Sequence, residues 1–259
     1  MFKLFLWLLK LGGILNLFLF WQTLFPPFSF IDMYILVPAQ IFFIVSALRC
    51  FFPVNYVTYA VLHDSFMSSI FWTRIIATFS EVAYIYQFSY LLRILNANQI
   101  LLVDFLSWLM VVQVIISQCF VWCAILMQRI KLYFYEELGW GIIFIINTIA
   151  SAMLYWTLDN FGERELLLQF NLLFGVVYLP WQLIHLRAIK LREKDQEIKG
   201  EYHSKLTCPL MKKGLYKAIY VKNLTTQPQA WGGLIGMMWM TAYWASLLPV
   251  WIYFIIRTV

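Results

Sequence analysis

Charged residues are scarce in this chain of 259 residues: Asp, Glu, Lys and Arg make up 12% of it, against 63% hydrophobic residues. A soluble domain of this size needs more charge to cover its surface, whereas a chain whose outer surface faces lipid needs charge only in its loops. The composition therefore excludes an ordinary soluble globular protein. It predicts an integral membrane protein, in an inner, plasma or organelle membrane.

Motifs for catalysis, cofactor binding and metal binding are lacking as well. The three histidines, His63, His185 and His203, are scattered without ligand spacing, so neither a metal site nor a haem held between helices is expected. The four cysteines include no Cys-x-x-Cys pair, and we interpret them as packing residues. The sequence identifies no cofactor and no catalytic residue.

Long apolar runs are present instead, and seven of them are long enough to cross about 30 Å of hydrocarbon. They predict an all-α, polytopic transmembrane bundle that forms a single domain over residues 1–259. The second run starts at Asp32 and contains Pro38, so a re-entrant hairpin, which leaves six spans, is the alternative. Pro249 predicts a kink in the seventh. The predicted spans are 4–25, 31–48, 66–92, 100–127, 138–156, 166–185 and 231–256.

The basic residues lie mostly on one side of these spans. With seven crossings, the side opposite to the amino terminus receives only Arg93, Arg164 and Arg257. Because cytoplasmic loops carry an excess of Lys and Arg, the amino terminus is predicted to be cytoplasmic and the carboxyl terminus to be outside. The same bias accounts for the net charge of +6 without a nucleic-acid partner. The expected partners are the lipid bilayer and anionic headgroups on its cytoplasmic face.

Residues 186–230 form the long cytoplasmic loop of this topology. Alternating charges up to Lys199 predict that the sixth helix continues into water as a stalk that ends at Gly200. Residues 214–222 mix aromatic, aliphatic and basic side chains, which is typical of a helix lying on an anionic membrane surface.

Arg74 and Glu81 are the sharpest functional candidates, because an ionisable group inside a span costs several kcal/mol unless it is paired or faces water. They are seven residues apart and therefore share one face of the third span. Matching of depths places Gln113 and Asn147 near the level of Glu81, which predicts a central polar pocket. The alternative is that the two amides only hold helices together by hydrogen bonds.

Two further groups of residues extend this hypothesis. Trp239 and Tyr243 lie well inside the last span, where they could form the wall of a site for an apolar small molecule or simply pack in the core. Glu136 and Glu137 are predicted to open the fifth span, where the helix amino terminus favours acids. The alternative is a site for a substrate headgroup at the inner interface.

Three classes of function follow from these candidates. The first is a protein that binds or transports a small or lipid-like molecule in the central pocket. The second is a membrane-embedded enzyme that acts on a lipid or isoprenoid, with Glu136 and Glu137 as acid–base groups. The third is a structural subunit that associates with other membrane proteins.

Overall fold

A computed structural model of the chain describes residues 2–25, 27–28, 31–157, 162–198 and 208–259. These residues are nearly all helical, which confirms the predicted all-α fold class. A short parallel pair of strands, β1 (Ala60–Val61) and β2 (Asn223–Leu224), accompanies the helices. The helices are α1 (Phe2–Gln22), α2 (Met33–Phe51), α3 (Ile70–Leu95), α4 (Leu101–Met127), α5 (Ile130–Thr157), α6 (Glu163–Ile198), α7 (Cys208–Tyr220), α8 (Gly233–Met240) and α9 (Leu247–Thr258).

Six segments in the described part of the chain are long and apolar enough to cross a membrane. They correspond to six of the seven predicted spans, and they are compatible with a multi-pass integral membrane protein. The segments are Phe2–Gln22, Met33–Phe51, Leu101–Met127, Ile130–Thr157, Arg164–Lys194 and Gly233–Thr258.

Helix α3 is the predicted span that is absent from this set. Its 26 residues are long enough to cross, but Arg74, Glu81 and Arg93 lower its hydropathy. Among the side chains of α3 only Trp72 and Phe79 are exposed. A helix that protein covers on most sides does not need an apolar surface. Helix α2, the least secure of the predicted spans, runs as one continuous helix through Pro38 and is among the six segments, whereas α3 is not.

The described residues group into two compact units. The first unit contains the chain up to Tyr84 and from Tyr216 to Arg257, which includes α1, α2, both strands, α8 and α9. The second unit contains residues 85–215, which include α4, α5 and α6. The beginning of α3 belongs to the first unit and its end to the second.

The first unit is built around a close contact of α1 with a π-helical turn, Thr241–Ala245, that joins α8 to α9. Gly12 makes this contact possible, because a side chain there would overlap the backbone of Ala245. Asn16 Nδ2 then donates to the carbonyl of Trp244 at 2.8 Å. The contact fixes the turn that carries Tyr243, one of the predicted site residues.

The last predicted span is interrupted at this π turn. Ser246 leaves helical geometry with φ −141° and ψ −78°, and α9 begins at Leu247. Pro249 explains the break, because it lacks an N–H for the carbonyl of Ala245 and tolerates only the first turn of a helix. The predicted kink is therefore confirmed as a full interruption.

Strands β1 and β2 join the segment between α2 and α3 to the segment before α8, a pairing that the sequence did not indicate. Ala60 lies opposite Asn223, and Thr58 Oγ1 donates to the carbonyl of Ala230 at 2.5 Å. Ser69 Oγ donates to the carbonyl of Ala218 at 3.0 Å. These bonds hold the α2–α3 segment in a defined conformation.

In the second unit, α5 packs along both α4 and α6. Gly139 of α5 allows this close approach, because a Cβ there would overlap Ser117 of α4. Helix α6 continues to Ile198, well beyond the predicted sixth span, and its position in water as a stalk stays a prediction. The predicted end at Gly200 lies outside the described residues. Helix α7 confirms the helical character of residues 214–220, and its position on a membrane surface stays a prediction.

Candidate functional site

The predicted ion pair is present in the first unit. Arg74 Nη2 lies 2.5 Å from Glu81 Oε2, and Nη1 lies 3.5 Å from Oε1. Only 2% of Arg74 and 5% of Glu81 is exposed. Seven residues are two turns of helix, so both side chains extend along the same face of α3 and meet there. A hydrogen-bonded pair of opposite charges is the arrangement in which ionised groups tolerate burial.

Two tyrosines extend this ion pair into a polar cluster. Tyr84 follows Glu81 on the same face of α3, and the hydroxyl of Tyr243 donates to that of Tyr84 over 2.9 Å. Both Arg74 and Glu81 interact electrostatically with Tyr243. The ring of Trp239 lies 5.3 Å from that of Tyr243. The structure thus brings together four of the predicted site residues, namely Arg74, Glu81, Trp239 and Tyr243.

Aromatic rings from α2 and from the π-helical turn lie beside this cluster. Phe42 of α2 is fully buried, and its ring lies 5.3 Å from Tyr84 and 6.0 Å from Trp244. Tyr243 and Trp244 belong to the π-helical turn, and their rings are 4.5 Å apart. Such turns are rare in helices, and those that occur are frequently found at functional sites. Aromatic side chains therefore lie near the charge pair, and their role as the apolar walls of a pocket stays a prediction.

Arg49 is a member of this region that the sequence did not reveal as a site residue. It was predicted to lie in a loop, because the second apolar run was placed at 31–48. Helix α2 continues to Phe51, so Arg49 lies in its last turn and is only 4% exposed. Its guanidinium carbon lies 5.3 Å from the ring centre of Trp244. The apolar residues that follow Arg49 were the available indication that the helix continues.

Tyr56 connects the two arginines. Its ring centre is 5.0 Å from the guanidinium carbon of Arg49 and 5.6 Å from that of Arg74. Cation–π contacts of this length are favourable and become stronger when water is excluded. We refer to Arg49, Tyr56, Arg74 and Glu81 as the basic cluster.

Gln113 and Asn147 lie in the second unit. Gln113 lies beside Gly139 of α5, and Asn147 stands eight residues further along that helix, at about 12 Å of axial rise. The two amides therefore lie at different levels of α5. Asn147 is buried, and its Oδ1 has no hydrogen-bond partner among the described residues. Their predicted convergence with Glu81 stays a prediction.

Glu136 and Glu137 lie in the second turn of α5, not at its start, since the helix begins at Ile130. Glu136 is buried. Glu137 accepts a hydrogen bond from Gln182 Nε2 at 3.0 Å, and its Oε1 lies 3.6 Å from His185 Nε2. Sequence spacing could not reveal this partnership, because the two α6 residues are more than 40 positions away. We refer to Glu136, Glu137, Gln182 and His185 as the acidic cluster.

Within the described ranges, no three or more His, Cys, Asp and Glu side chains form a group that could hold a metal ion. Comparison of the chain with protein-family models, with curated proteins and with solved structures gives no match. The inference of function therefore rests on the chemistry of the basic and acidic clusters.

Proposed function

We propose that the chain is a multi-pass membrane protein that binds or transports a small or lipid-like molecule at the basic cluster. The observation that carries this proposal is the buried Arg74–Glu81 pair of α3, in a chain whose described part has six other segments of membrane-spanning length. Ionisable groups at such positions are costly, and in membrane proteins they mark pathways and binding sites. The aromatic rings beside the pair supply the apolar walls that small-molecule sites require.

The proposed topology has seven spans, counting α3, and a cytoplasmic amino terminus. It is supported by the unequal distribution of basic residues and by the burial of α3. A reporter fused after Val259 should lie outside the cytoplasm, and one inserted at Gly200 should lie inside. Finding both reporters on one side of the membrane would contradict seven spans.

The binding proposal is tested by neutralising both members of the ion pair at once. The double variant Arg74→Gln, Glu81→Gln removes both charges of the pair and leaves neither one without its partner, so it should insert and fold. Mass spectrometry of molecules extracted from the purified protein should show a species that the wild type retains and the double variant lacks. Asp64→Asn, which breaks an exposed ion pair with Lys222, is the matched control and should retain that species.

Identical extracts from the wild type and a stable double variant would contradict the binding proposal. The remaining interpretation would then be a structural subunit, whose function lies in contacts with other membrane proteins.

The approach of Glu137 to His185 favours a second candidate function. A carboxylate beside an imidazole is a frequent arrangement for moving protons, so the acidic cluster could serve an enzyme that acts on a lipid. Glu137→Gln and His185→Gln should then each abolish turnover of a lipid substrate and leave folding intact. Turnover that is unaffected by both changes would exclude this function.

A further inference from the structure

We infer that the first unit binds a phosphate or carboxylate anion through Arg49 and Tyr56. The inference rests on the proposed function, because it names the chemical class of the molecule that is held beside the Arg74–Glu81 pair. Three observations carry it: the unused donors of Arg49, the unused hydroxyl of Tyr56, and the charge balance of the unit.

Arg49 is a buried cation whose hydrogen-bonding capacity is largely unused. Its Nη2 donates to the carbonyl of Val54 at 3.4 Å, which is a long bond. Its Nε and Nη1 are buried and find no acceptor in the part of the chain that the structure describes. A guanidinium stays protonated in proteins, so Arg49 cannot escape this cost by losing its charge.

Tyr56 shows the same deficit of acceptors. Its hydroxyl is buried and has no hydrogen-bond partner among residues of known placement. The side chain cannot easily turn away, because its segment is held by the bond of Thr58 to Ala230 and by backbone N–H groups that donate to Asn55 Oδ1. The guanidinium of Arg49 contacts the ring of Tyr56, so the unused donors of the two residues lie in the same region of the fold.

The acids of the first unit are all engaged elsewhere. The residues that form this unit include only three acids, Asp32, Asp64 and Glu81. Asp32 caps the opposite end of α2, and Asp64 bonds to Lys222 at 2.8 Å on the surface. Glu81 is already engaged by Arg74.

The basic cluster therefore holds two guanidinium groups and one carboxylate. The excess positive charge belongs to Arg49, the arginine whose donors are unused. An oxyanion with one negative charge would balance the cluster and would accept hydrogen bonds from Arg49 and Tyr56 together. Hydrogen bonds between a guanidinium and an oxyanion are among the strongest in proteins.

Two sources can supply such an anion. Arg49 lies in the last turn of α2, a helix of membrane-spanning length, so it stands near the depth of lipid headgroups. A phospholipid phosphate could reach it from the bilayer, and a soluble phosphate or carboxylate could reach it from the water. The chemistry of recognition is the same for both.

The test measures thermal unfolding of the full-length protein in dodecyl maltoside, an uncharged detergent. One arm adds inorganic phosphate or acetate, and the other adds phosphatidylglycerol, with diacylglycerol as the lipid that lacks the phosphate. A molecule that binds the folded state raises the unfolding temperature in a saturable manner. A response to the soluble anions assigns the site to them, and a response to phosphatidylglycerol alone assigns it to a lipid headgroup.

The variants decide whether the response belongs to this site. Arg49→Gln should weaken the apparent affinity by at least about tenfold, and Tyr56→Phe by about three- to tenfold, because each removes a donor. Arg93→Gln is the matched control, since Arg93 is an arginine of the second unit that already donates to Ser89 and Ser107 and contacts Trp108. It should respond as the wild type does.

Absence of any response, or an equal response of Arg49→Gln and the wild type, would overturn the inference. Without added anion, Arg49→Gln should unfold at a temperature no lower than the wild type, because it removes an uncompensated buried charge. Should Arg49→Gln unfold at a clearly lower temperature or fail to fold, the response of Tyr56→Phe decides: an affinity equal to that of the wild type then overturns the inference.

This test can fail separately from the proposed function. A neutral species that the wild type retains and the Arg74→Gln, Glu81→Gln variant lacks would support the proposed function. The same result without a response to either kind of anion would overturn the anion site alone. If the wild type retains no species and its unfolding temperature responds to neither kind of anion, both proposals fail.

Discussion

The basic and acidic clusters differ in how their buried charged groups are paired. In the acidic cluster Glu137 is met by the amide of Gln182 and approached by His185, so side chains of the same unit supply its donors. In the basic cluster donors exceed acceptors: Arg74 engages the single carboxylate, that of Glu81, while Arg49 Nε and Nη1 and the Tyr56 hydroxyl find no acceptor among the described residues. A carboxylate whose donors come from its own unit can be structural, whereas an excess of buried donors points to an acceptor that the described residues do not supply.

The largest expected effect concerns the loss of that single carboxylate. Glu81→Gln leaves Arg74 without a counter-charge, and breaking a buried pair on one side costs about 3–5 kcal/mol of unfolding free energy. Glu137→Gln keeps an acceptor for Gln182 and leaves no arginine unpaired, so it should cost about 1 kcal/mol, as the loss of a single hydrogen bond does. Chemical unfolding in detergent measures both. Equal losses in the two variants would remove the distinction between the clusters.

A smaller effect is expected where α1 supports the basic cluster. Gly12→Ala places a methyl group against the backbone of Ala245, next to Trp244, and overpacking of this kind costs about 1–3 kcal/mol. Gly162→Ala is the control, because no atom lies within 4 Å of the added methyl group. Thermal unfolding should separate the two variants. A Gly12→Ala protein as stable as the control would show that the contact can relax.

The smallest effect should come from an ion pair of the first unit that is not buried. The Asp64 side chain is 71% exposed and bonds to Lys222 at 2.8 Å. Because exposed pairs contribute little, Asp64→Asn should change the unfolding free energy by less than about 1 kcal/mol. A loss as large as that of Glu81→Gln would show that membership of the first unit, and not burial, sets the cost.

Hydropathy and charge were sufficient to predict the helical class and the positions of most long helices. The Arg74–Glu81 pair was also predictable, because residues seven apart on one helix share a face whatever surrounds it. The position of Tyr243 beside this pair was predictable only in part. Its depth in the last span was evident from the sequence, but the π-helical turn that directs it toward Tyr84 was not.

The cluster members that the sequence did not reveal are brought together by tertiary contacts. Arg49 was assigned to a loop, because the predicted span was ended at the residue before this charge. Tyr56 lies in a segment that takes its conformation from the pairing of β1 with β2. Likewise, His185 could be recognised as a cluster member only from the structure, in which α6 places it beside Glu137. Such contacts join residues far apart in sequence, and no local spacing encodes them.

The most direct measurement is an experimental structure of the protein in lipid nanodiscs, at a resolution that shows side chains around Arg49. We expect density for a phosphate or carboxylate group within about 2.7–3.1 Å of Arg49 Nε or Nη1 and within hydrogen-bond distance of the Tyr56 hydroxyl. The same density should be absent from the Arg49→Gln protein. A structure in which Arg49 is paired with a carboxylate of this chain, and in which no such density is present, would contradict the account.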